Sequence, residues 1–160
     1  MSKKAAYSGV LTACALIFSY IEYMLPLNIG VPGIKLGLAN IVVIVALYVL
    51  GAKYAFAINI VRISAAAILF SGLFGMLFGL TGGLLSLVVM TGLKKIGLFS
   101  VTGVSVAGGA AHNIGQLLAA TFIIANFAVL YYLPILLISG ALTGAGVGLL
   151  AAIVLKRKPL

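Results

Sequence analysis

Residues 73–93, LFGMLFGLTGGLLSLVVMTGL, form an apolar stretch that contains no charged side chain. A helix needs roughly 20 such residues to cross the hydrocarbon core of a bilayer, so this stretch predicts a membrane-spanning helix. Similar stretches lie on both sides of it and fill most of the chain. Because 64% of the 160 residues are hydrophobic and only 7% are charged, the composition indicates a single transmembrane domain over residues 1–160.

Six apolar segments, separated by charged or helix-breaking residues, predict six membrane-spanning helices. The longest break, 26–33, contains two prolines and two glycines. We therefore expect an all-α integral membrane protein built as a six-helix bundle. The predicted spans are 5–25, 36–50, 54–70, 73–93, 101–127 and 131–155.

The basic residues lie mostly at the ends of the predicted spans. With six crossings, both termini share one side of the membrane, and that side carries eight of the ten Lys and Arg, whereas the other side carries only Lys35. Lys and Arg concentrate in cytoplasmic loops, so we predict a multi-pass protein of the bacterial cytoplasmic membrane with both termini in the cytoplasm. The net charge of +9 is then a topology signal. No nucleic-acid partner is expected, because the basic residues form no stripe with interleaved aromatic residues.

Acidic residues are almost absent from the sequence, since Glu22 is the one Asp or Glu. Mg²⁺-diphosphate binding and paired acid/base catalysis need several such side chains, and metal binding is not expected with one His, one Cys and one Glu scattered along the chain. No G-x-x-x-x-G-K-S/T motif for binding nucleotide phosphates occurs either. The sequence therefore predicts no catalytic residue, no metal and no cofactor. An intramembrane enzyme using His112 as an acid or base is disfavoured by the shortage of carboxylates.

A few polar side chains lie inside the predicted spans. Arg62 is near the middle of the third span, where an Arg costs roughly 3 kcal/mol to insert, and such residues usually face the bundle interior or a water-filled cavity. The polar set is biased toward the outer half of the bundle, so we predict a ligand cavity that opens to the outside. The candidate substrate-binding residues are Glu22, Lys35, Asn40, Asn59, Arg62, His112, Asn113 and Gln116.

In this cavity Arg62 and Lys35 are predicted to be cationic anchors, and the amides and His112 to be hydrogen-bonding groups. An anionic or carbonyl-bearing small molecule fits such a set. Three alternatives stay open. Glu22 and Lys35 pair with each other or with lipid headgroups, Arg62 is neutralised by backbone carbonyls, or His112 has a structural role.

Small residues recur at every fourth position in the first, fourth, fifth and sixth spans. This spacing lets helix backbones approach closely in lipid. In the last three spans we expect it to serve packing within the bundle. In the first span the stripe Ala5, Gly9 and Ala13 is a candidate for docking a partner protein.

Several segments resemble a bacterial membrane family labelled heptaprenyl diphosphate synthase component I, or Gx transporter family. The most specific are 32–41, PGIKLGLANI, and 111–116, AHNIGQ, and 59–62, 82–86 and 104–106 also resemble it. That family is grouped with the substrate-binding S components of energy-coupling factor (ECF) vitamin transporters. The resemblance implies a six-helix S-component-like fold, with an outward-facing pocket roofed by the loop between the first two spans.

The resemblance implies a membrane subunit that binds a vitamin-like, quinone-precursor or prenyl-phosphate compound for transport. Ala5, Gly9 and Ala13 then dock onto a transmembrane coupling subunit, and ATPases are supplied in trans, although Gly9 departs from the family's usual alanine. The alternative is a non-catalytic membrane subunit of a prenyl-quinone biosynthesis or flavin-based extracellular electron-transfer assembly, which organises partners or membrane lipid. Catalysis is not expected, because prenyl diphosphate synthases hold Mg²⁺ with aspartate-rich motifs and this sequence contains no Asp.

Overall fold

A computed structural model describes residues 3–25 and 36–157, and this part of the chain is helical without strands. Each of the six predicted segments overlaps one α-helix. A π-helical turn, Ala67–Ser71, follows the third helix, and a 3₁₀ segment, Phe127–Tyr132, precedes the sixth. The α-helices are α1 (Lys3–Met24), α2 (Leu38–Val49), α3 (Ala52–Ala66), α4 (Gly72–Ile96), α5 (Val101–Ile124) and α6 (Leu133–Lys156).

The predicted helix ends differ from the observed ones by a few residues. α5 ends at Ile124, before the predicted 127, because Ala125 adopts a left-handed conformation with φ 52°. The Asn126 side chain then accepts a hydrogen bond from the Ala128 amide and starts the 3₁₀ segment. The predicted start of the last span at 131 therefore falls in that segment rather than in α6.

α3 and α4 fold back on each other at Gly72. This residue has φ 67°, a conformation that favours glycine, so the chain reverses there without a separate loop. Gly79 of α4 faces Ile63, and Gly83, one turn later, faces Asn59, which is earlier in α3. The two helices consequently run antiparallel.

The closest helix contacts are those of α5 with α4 and α6. A Cβ atom on Gly109 would lie 2.1 Å from the carbonyl oxygen of Gly140, and one on Gly144 would lie 2.6 Å from a carbonyl oxygen of α5. On the other side of α5, a Cβ on Gly115 would lie 2.6 Å from the carbonyl oxygen of Thr81. Any larger residue would push these backbones apart. The bundle packing predicted for small residues of the last three spans is confirmed at Gly115, Gly140 and Gly144, whereas Gly109 was not among the predicted positions.

α1 packs against α2 and α3 much less closely. Ala15 is the single buried residue among those described in α1. The apolar core is centred instead on α2, whose residues 42–47 are all buried. At the end of this core, Lys94 Nζ donates to the carbonyl oxygen of Leu47 at 2.7 Å and lies 4.9 Å from the ring centre of Tyr48. Lys94 thereby ties the end of α4 to the end of α2.

The stripe predicted to dock a partner lies on the exposed face of α1. Ala5, Gly9 and Ala13 are all exposed, and a Cβ on Gly9 would meet nothing within 4 Å. Docking itself stays a prediction.

Three helical segments are long and apolar enough to cross a membrane: Lys3–Met24, Ala52–Ile96 and Phe127–Lys156. The second of these contains the reversal at Gly72 and therefore consists of two antiparallel helices. α5, which carries several polar side chains, is not among the three. α2 has 12 residues and rises about 18 Å, which is less than a hydrocarbon core of about 30 Å. These segments indicate a helical membrane protein, and six crossings stay a prediction.

Candidate functional site

A cavity of about 420 Å³ lies inside the bundle, and all six helices contribute to its wall. Its volume falls within the range of roughly 300–1,000 Å³ that is usual for ligand pockets. The wall is formed by the end of α1, the starts of α2 and α4, the end of α3, the middle of α5 and one residue of α6. Six of the predicted substrate-binding residues line it: Glu22, Asn40, Arg62, His112, Asn113 and Gln116.

The other two predicted residues have different positions. Asn59 is 1% exposed and contacts the Arg62 side chain instead of lining the cavity. Lys35 lies outside the described residues, as does the loop 26–33 that was predicted to roof the pocket.

Arg62 is held by three neutral oxygens from three helices. Its Nε donates to Asn59 Oδ1 at 3.1 Å, Nη2 donates to Asn40 Oδ1 at 2.9 Å, and Nη1 donates to Ser19 Oγ at 3.3 Å. A guanidinium has five N–H donors, so two remain for a ligand among the contacts of the described residues. Since Arg62 is only 8% exposed and fixed by three helices, its charge is preorganised on the cavity wall.

The sequence indicated part of this arrangement. Asn59 and Arg62 are three residues apart in α3, and residues at that spacing share a helix face. Ser19 was missed, because serine in a membrane helix commonly bonds to its own backbone, as Ser19 does to the carbonyl oxygen of Ala15 at 2.9 Å. The available signal was its position three residues before Glu22, on the same face of α1.

Glu22 connects the end of α1 to the start of α2. Its carboxylate accepts a hydrogen bond from the Gly37 amide, and its negative charge attracts the positive charge of Arg62. Both side chains line the cavity. The described wall therefore contains one strong cation, Arg62, and one strong anion, Glu22. The predicted pairing of Glu22 with Lys35 stays a prediction, since Lys35 lies outside the described residues.

α5 forms the opposite wall with His112, Asn113 and Gln116. Asn113 Nδ2 donates to the carbonyl oxygen of Leu136 at 2.7 Å and to a serine hydroxyl of α6 at 3.2 Å. Both amide hydrogens are thus directed at α6, and the amide oxygen is the group left for a ligand. At Gly82 of α4, a Cβ would lie 2.9 Å from Gln116 Cγ and 3.1 Å from His112 Cε1. The glycine therefore lets this wall pack tightly on α4.

An aromatic cluster lies where α1 meets the π-helical turn. The ring of Phe70, in that turn, lies 5.6 Å from Tyr20 and 5.1 Å from Tyr23, centre to centre. Phe70 and Tyr23 also line the cavity. π-helical turns are frequent at functional sites, and this one adds an apolar rim to a polar cavity.

The sequence also matches a known family profile. The profile described as heptaprenyl diphosphate synthase component I covers residues 11–154. The chain belongs to this family. The matched range includes the cavity wall from Ser19 to Thr143. Comparison with curated proteins and with solved structures gives no match. The description of the heptaprenyl diphosphate synthase component I family refers to one component of a synthase, and it does not by itself assign catalysis to this chain.

Proposed function

We propose that the protein is a membrane-embedded, S-component-like substrate-binding subunit of an ECF-type transporter. Its helices then cross the cytoplasmic membrane six times, with both termini inside and the cavity open to the outer side. Two observations support this topology. α3 and α4 reverse at Gly72, and the distribution of Lys and Arg between the two sides is eight to one, as expected from the positive-inside rule.

The observation that carries the proposal is the position of Arg62 on the cavity wall. A charged residue in a membrane segment is unfavourable and usually marks a functional site. Its three hydrogen-bond partners among the described residues are neutral, and two of its N–H donors are left for a ligand. A carboxylate, phosphate or carbonyl oxygen in the cavity would accept from them, and hydrogen bonds between charged partners are about twice as strong as neutral ones.

The rest of the wall fits a compound with more than one polar group. His112 and Gln116 offer both donors and acceptors, and Asn113 offers its amide oxygen. The rim at Phe70 and Tyr23 offers apolar surface to the remainder of the ligand. A vitamin-like or quinone-precursor compound of the size of the cavity matches this distribution.

Energy for transport must come from other subunits in this proposal, because the sequence has no nucleotide-hydrolysing motif of its own. A transmembrane coupling subunit would dock on the exposed face of α1 that carries Ala5, Gly9 and Ala13, and ATPases would be supplied in trans. Small residues on that face allow a close helix–helix contact.

The test replaces Arg62 by Leu and uses Lys53→Leu as the matched control. Both changes remove a cation from α3, but Lys53 is exposed in the first turn of the helix. Small molecules that stay bound through purification in mild detergent are identified by mass spectrometry. We expect wild type and Lys53→Leu to retain the same amount of the same compound. Arg62→Leu should retain at least about 10-fold less of it, because a hydrogen bond to a charged group contributes about 1.5–3 kcal/mol. Equal retention by Arg62→Leu contradicts the anchor role.

The family description, which names a component of a prenyl diphosphate synthase, favours the prenyl-quinone form of a second candidate function. The protein would be a non-catalytic membrane subunit of a prenyl-quinone biosynthesis or flavin-based electron-transfer assembly. The single acidic residue, Glu22, argues against a catalytic role for this chain in a synthase that needs aspartate-rich motifs. Co-purification from native membranes separates the two candidates. The transporter subunit brings a coupling subunit and ATPases, whereas the assembly subunit brings a prenyltransferase or a flavoprotein.

A further inference from the structure

A second cavity of about 30 Å³ adjoins the main one. Asn40 and Thr143 line both cavities, so the two meet at these side chains. The smaller cavity lies between α2, α4, α5 and α6, and its wall includes Ser86 of α4 and Ser105 of α5. We call Asn40, Ser86, Ser105 and Thr143 the serine subsite.

The two serines are the informative members of the serine subsite. Ser86 is 7% exposed and Ser105 is 3% exposed, and neither hydroxyl forms a hydrogen bond to another residue within 3–25 and 36–157. Neither oxygen is fully enclosed by protein, so both open onto the small cavity. The buried hydroxyl of Thr121, in contrast, donates to the carbonyl oxygen of Leu117 at 2.9 Å. Polar side chains that are largely withdrawn from solvent usually have a hydrogen-bond partner, and in small cavities that partner is often an ordered water. Two unpaired hydroxyls that face one small cavity point to a polar guest.

Asn40 supplies a donor next to the serines. Its Oδ1 accepts from Arg62 Nη2 at 2.9 Å, and because a guanidinium only donates, the amide oxygen must face Arg62. The amide nitrogen lies beside Gly37, which lines both cavities. The Thr143 hydroxyl donates to the carbonyl oxygen of Ser139 at 2.9 Å and can still accept. The serine subsite therefore offers donors and acceptors together.

The guest of the serine subsite has to be neutral. No charged residue is among those lining the small cavity in the described part of the chain. Arg62 is one hydrogen bond away through Asn40, so a cation would be repelled at short range in a medium of low dielectric constant. An anion would lose its hydration without a cation in contact. The volume suits about two water molecules.

We propose that the serine subsite binds water in the ligand-free protein, and a hydroxyl, carbonyl or amide group of the ligand when the main cavity is filled. The statement about the ligand group rests on the proposed function, whereas the statement about bound water does not. It narrows the substrate class to compounds with an anionic group at Arg62 and a neutral hydrogen-bonding group at the far end. A continuous prenyl chain would instead place hydrocarbon against the hydroxyls of Ser86 and Ser105.

The binding of water by the ligand-free serine subsite is tested with water itself as the probe. A high-resolution structure of the ligand-free protein should show ordered density in hydrogen-bond reach of both serine hydroxyls, and an empty cavity overturns the inference. Thermal unfolding in detergent gives a second readout, whose sign is decisive. Ser86→Ala and Ser105→Ala should each lower the Tm, by about 2–4 °C, because a bound water loses a partner. In a dry cavity the same changes remove an unpaired hydroxyl and raise the Tm, which also overturns the inference.

The control is Ser8→Ala, since the Ser8 hydroxyl bonds to its own helix at Lys4, and its Tm should stay unchanged. The double variant of Ser86 and Ser105 should lower the Tm by less than the sum of the single effects, because both hydroxyls bind the same hydrogen-bonded water cluster. An additive result means separate sites and contradicts a shared one.

The binding of a ligand group in the serine subsite is tested with the small molecule that co-purifies with the wild-type protein. Ser105→Ala and Ser86→Ala should each reduce its retention by about 5-fold or more, the effect of losing one hydrogen bond. If both serine variants retain the compound undiminished while Arg62→Leu loses it, only the statement that the serine subsite binds a ligand group is refuted. Undiminished retention in Arg62→Leu refutes the proposed function, and the hydrated subsite then stands on its density and Tm.

Discussion

The α5 side and the α1 side of the bundle are built in opposite ways. On the α5 side, glycines bring three backbones into contact, and a Cβ on Gly109 would lie 2.1 Å from the carbonyl oxygen of Gly140. On the α1 side, Ala15 is the single buried residue among those described in the helix. A Cβ on Gly9 would meet nothing within 4 Å. Shape complementarity thus fixes α5, while α1 has little of it.

Polar contacts near the cavity add to the limited apolar packing of α1, in which Leu11 and Phe18 lie against the core. Ser19 accepts a hydrogen bond from Arg62, and Glu22 accepts one from the Gly37 amide. The cavity lies between the two sides, so its α5 wall is rigid and its α1 wall is held by hydrogen bonds. The position of α1 therefore depends on the polar groups of the cavity itself. We expect the mobility of α1 to change when those groups are replaced.

The largest expected effect comes from adding a methyl group to the α5–α6 interface. Gly144→Ala places a Cβ 2.6 Å from the carbonyl oxygen of Ser105, which forces the two backbones apart. Overpacking typically destabilises by about 1–3 kcal/mol, and backbone atoms cannot yield as side chains do. We expect a fall in Tm of at least several degrees, measured by circular dichroism in detergent.

Gly146→Ala is the matched control, two residues later in the same helix. A Cβ there would meet nothing within 4 Å, and Ala is favoured over Gly in helices by about 1 kcal/mol. Its Tm should be unchanged or slightly higher. Similar Tm values for Gly144→Ala and Gly146→Ala would mean that α5 and α6 separate easily, and the contrast between the two sides would be lost.

A smaller effect is expected from removing the hydrogen bonds between α5 and α6. Asn113→Leu eliminates the contacts to Leu136 and Ser139. Hydrogen bonds between membrane helices contribute about 0.6 kcal/mol on average and up to about 1.7 kcal/mol, so we expect a loss of about 1 kcal/mol in the free energy of unfolding. Gln116→Leu, on the same wall, is the control and should change it by under about 0.5 kcal/mol. A control effect as large as that of Asn113→Leu would show that the loss reflects the wall in general.

Much of the fold was predictable because apolar runs and glycines are visible in the sequence. Each predicted span overlaps one helix, and Gly72, the reversal point, falls between predicted spans. The π-helical turn at Ala67–Ser71 was not predictable, since no glycine or proline marks its residues. The left-handed Ala125 was hidden for a related reason, because alanine gives no local signal for that conformation.

The candidate site was predictable where side chains are strongly polar. Arg62 and His112 stand out in an apolar background, and both line the cavity. The hydroxyl groups were missed because serine and threonine are common in membrane helices, where such side chains usually bond to their own backbone and carry no functional signal. The role of Asn59 depends on the rotation of α3 against its neighbours, and a rotation of that kind is set by packing rather than by local sequence.

The α1 side should respond in mobility more than in stability. Ser19→Ala removes one acceptor of Arg62, a bond of 3.3 Å, so we expect a loss of only about 0.5 kcal/mol. Hydrogen exchange of the amides in the second half of α1 should nevertheless become faster, because little apolar packing holds this helix. Ser8→Ala, whose hydroxyl bonds within α1, is the control and should leave the exchange unchanged. Unaltered exchange in Ser19→Ala would show that packing, and not Arg62, positions α1.

The smallest effect on stability is expected at Gly9. Gly9→Leu points a side chain into open space, so the Tm should change by no more than that of a surface substitution, about 0.5 kcal/mol or less. If this face docks a partner through small residues, the same change should sharply reduce the amount of co-purifying membrane subunit, because helices in lipid associate by close backbone approach. Gly92→Leu, equally open but on α4, should leave that amount intact. Equal recovery of the partner with both variants would mean that the loosely packed side of the bundle faces lipid alone.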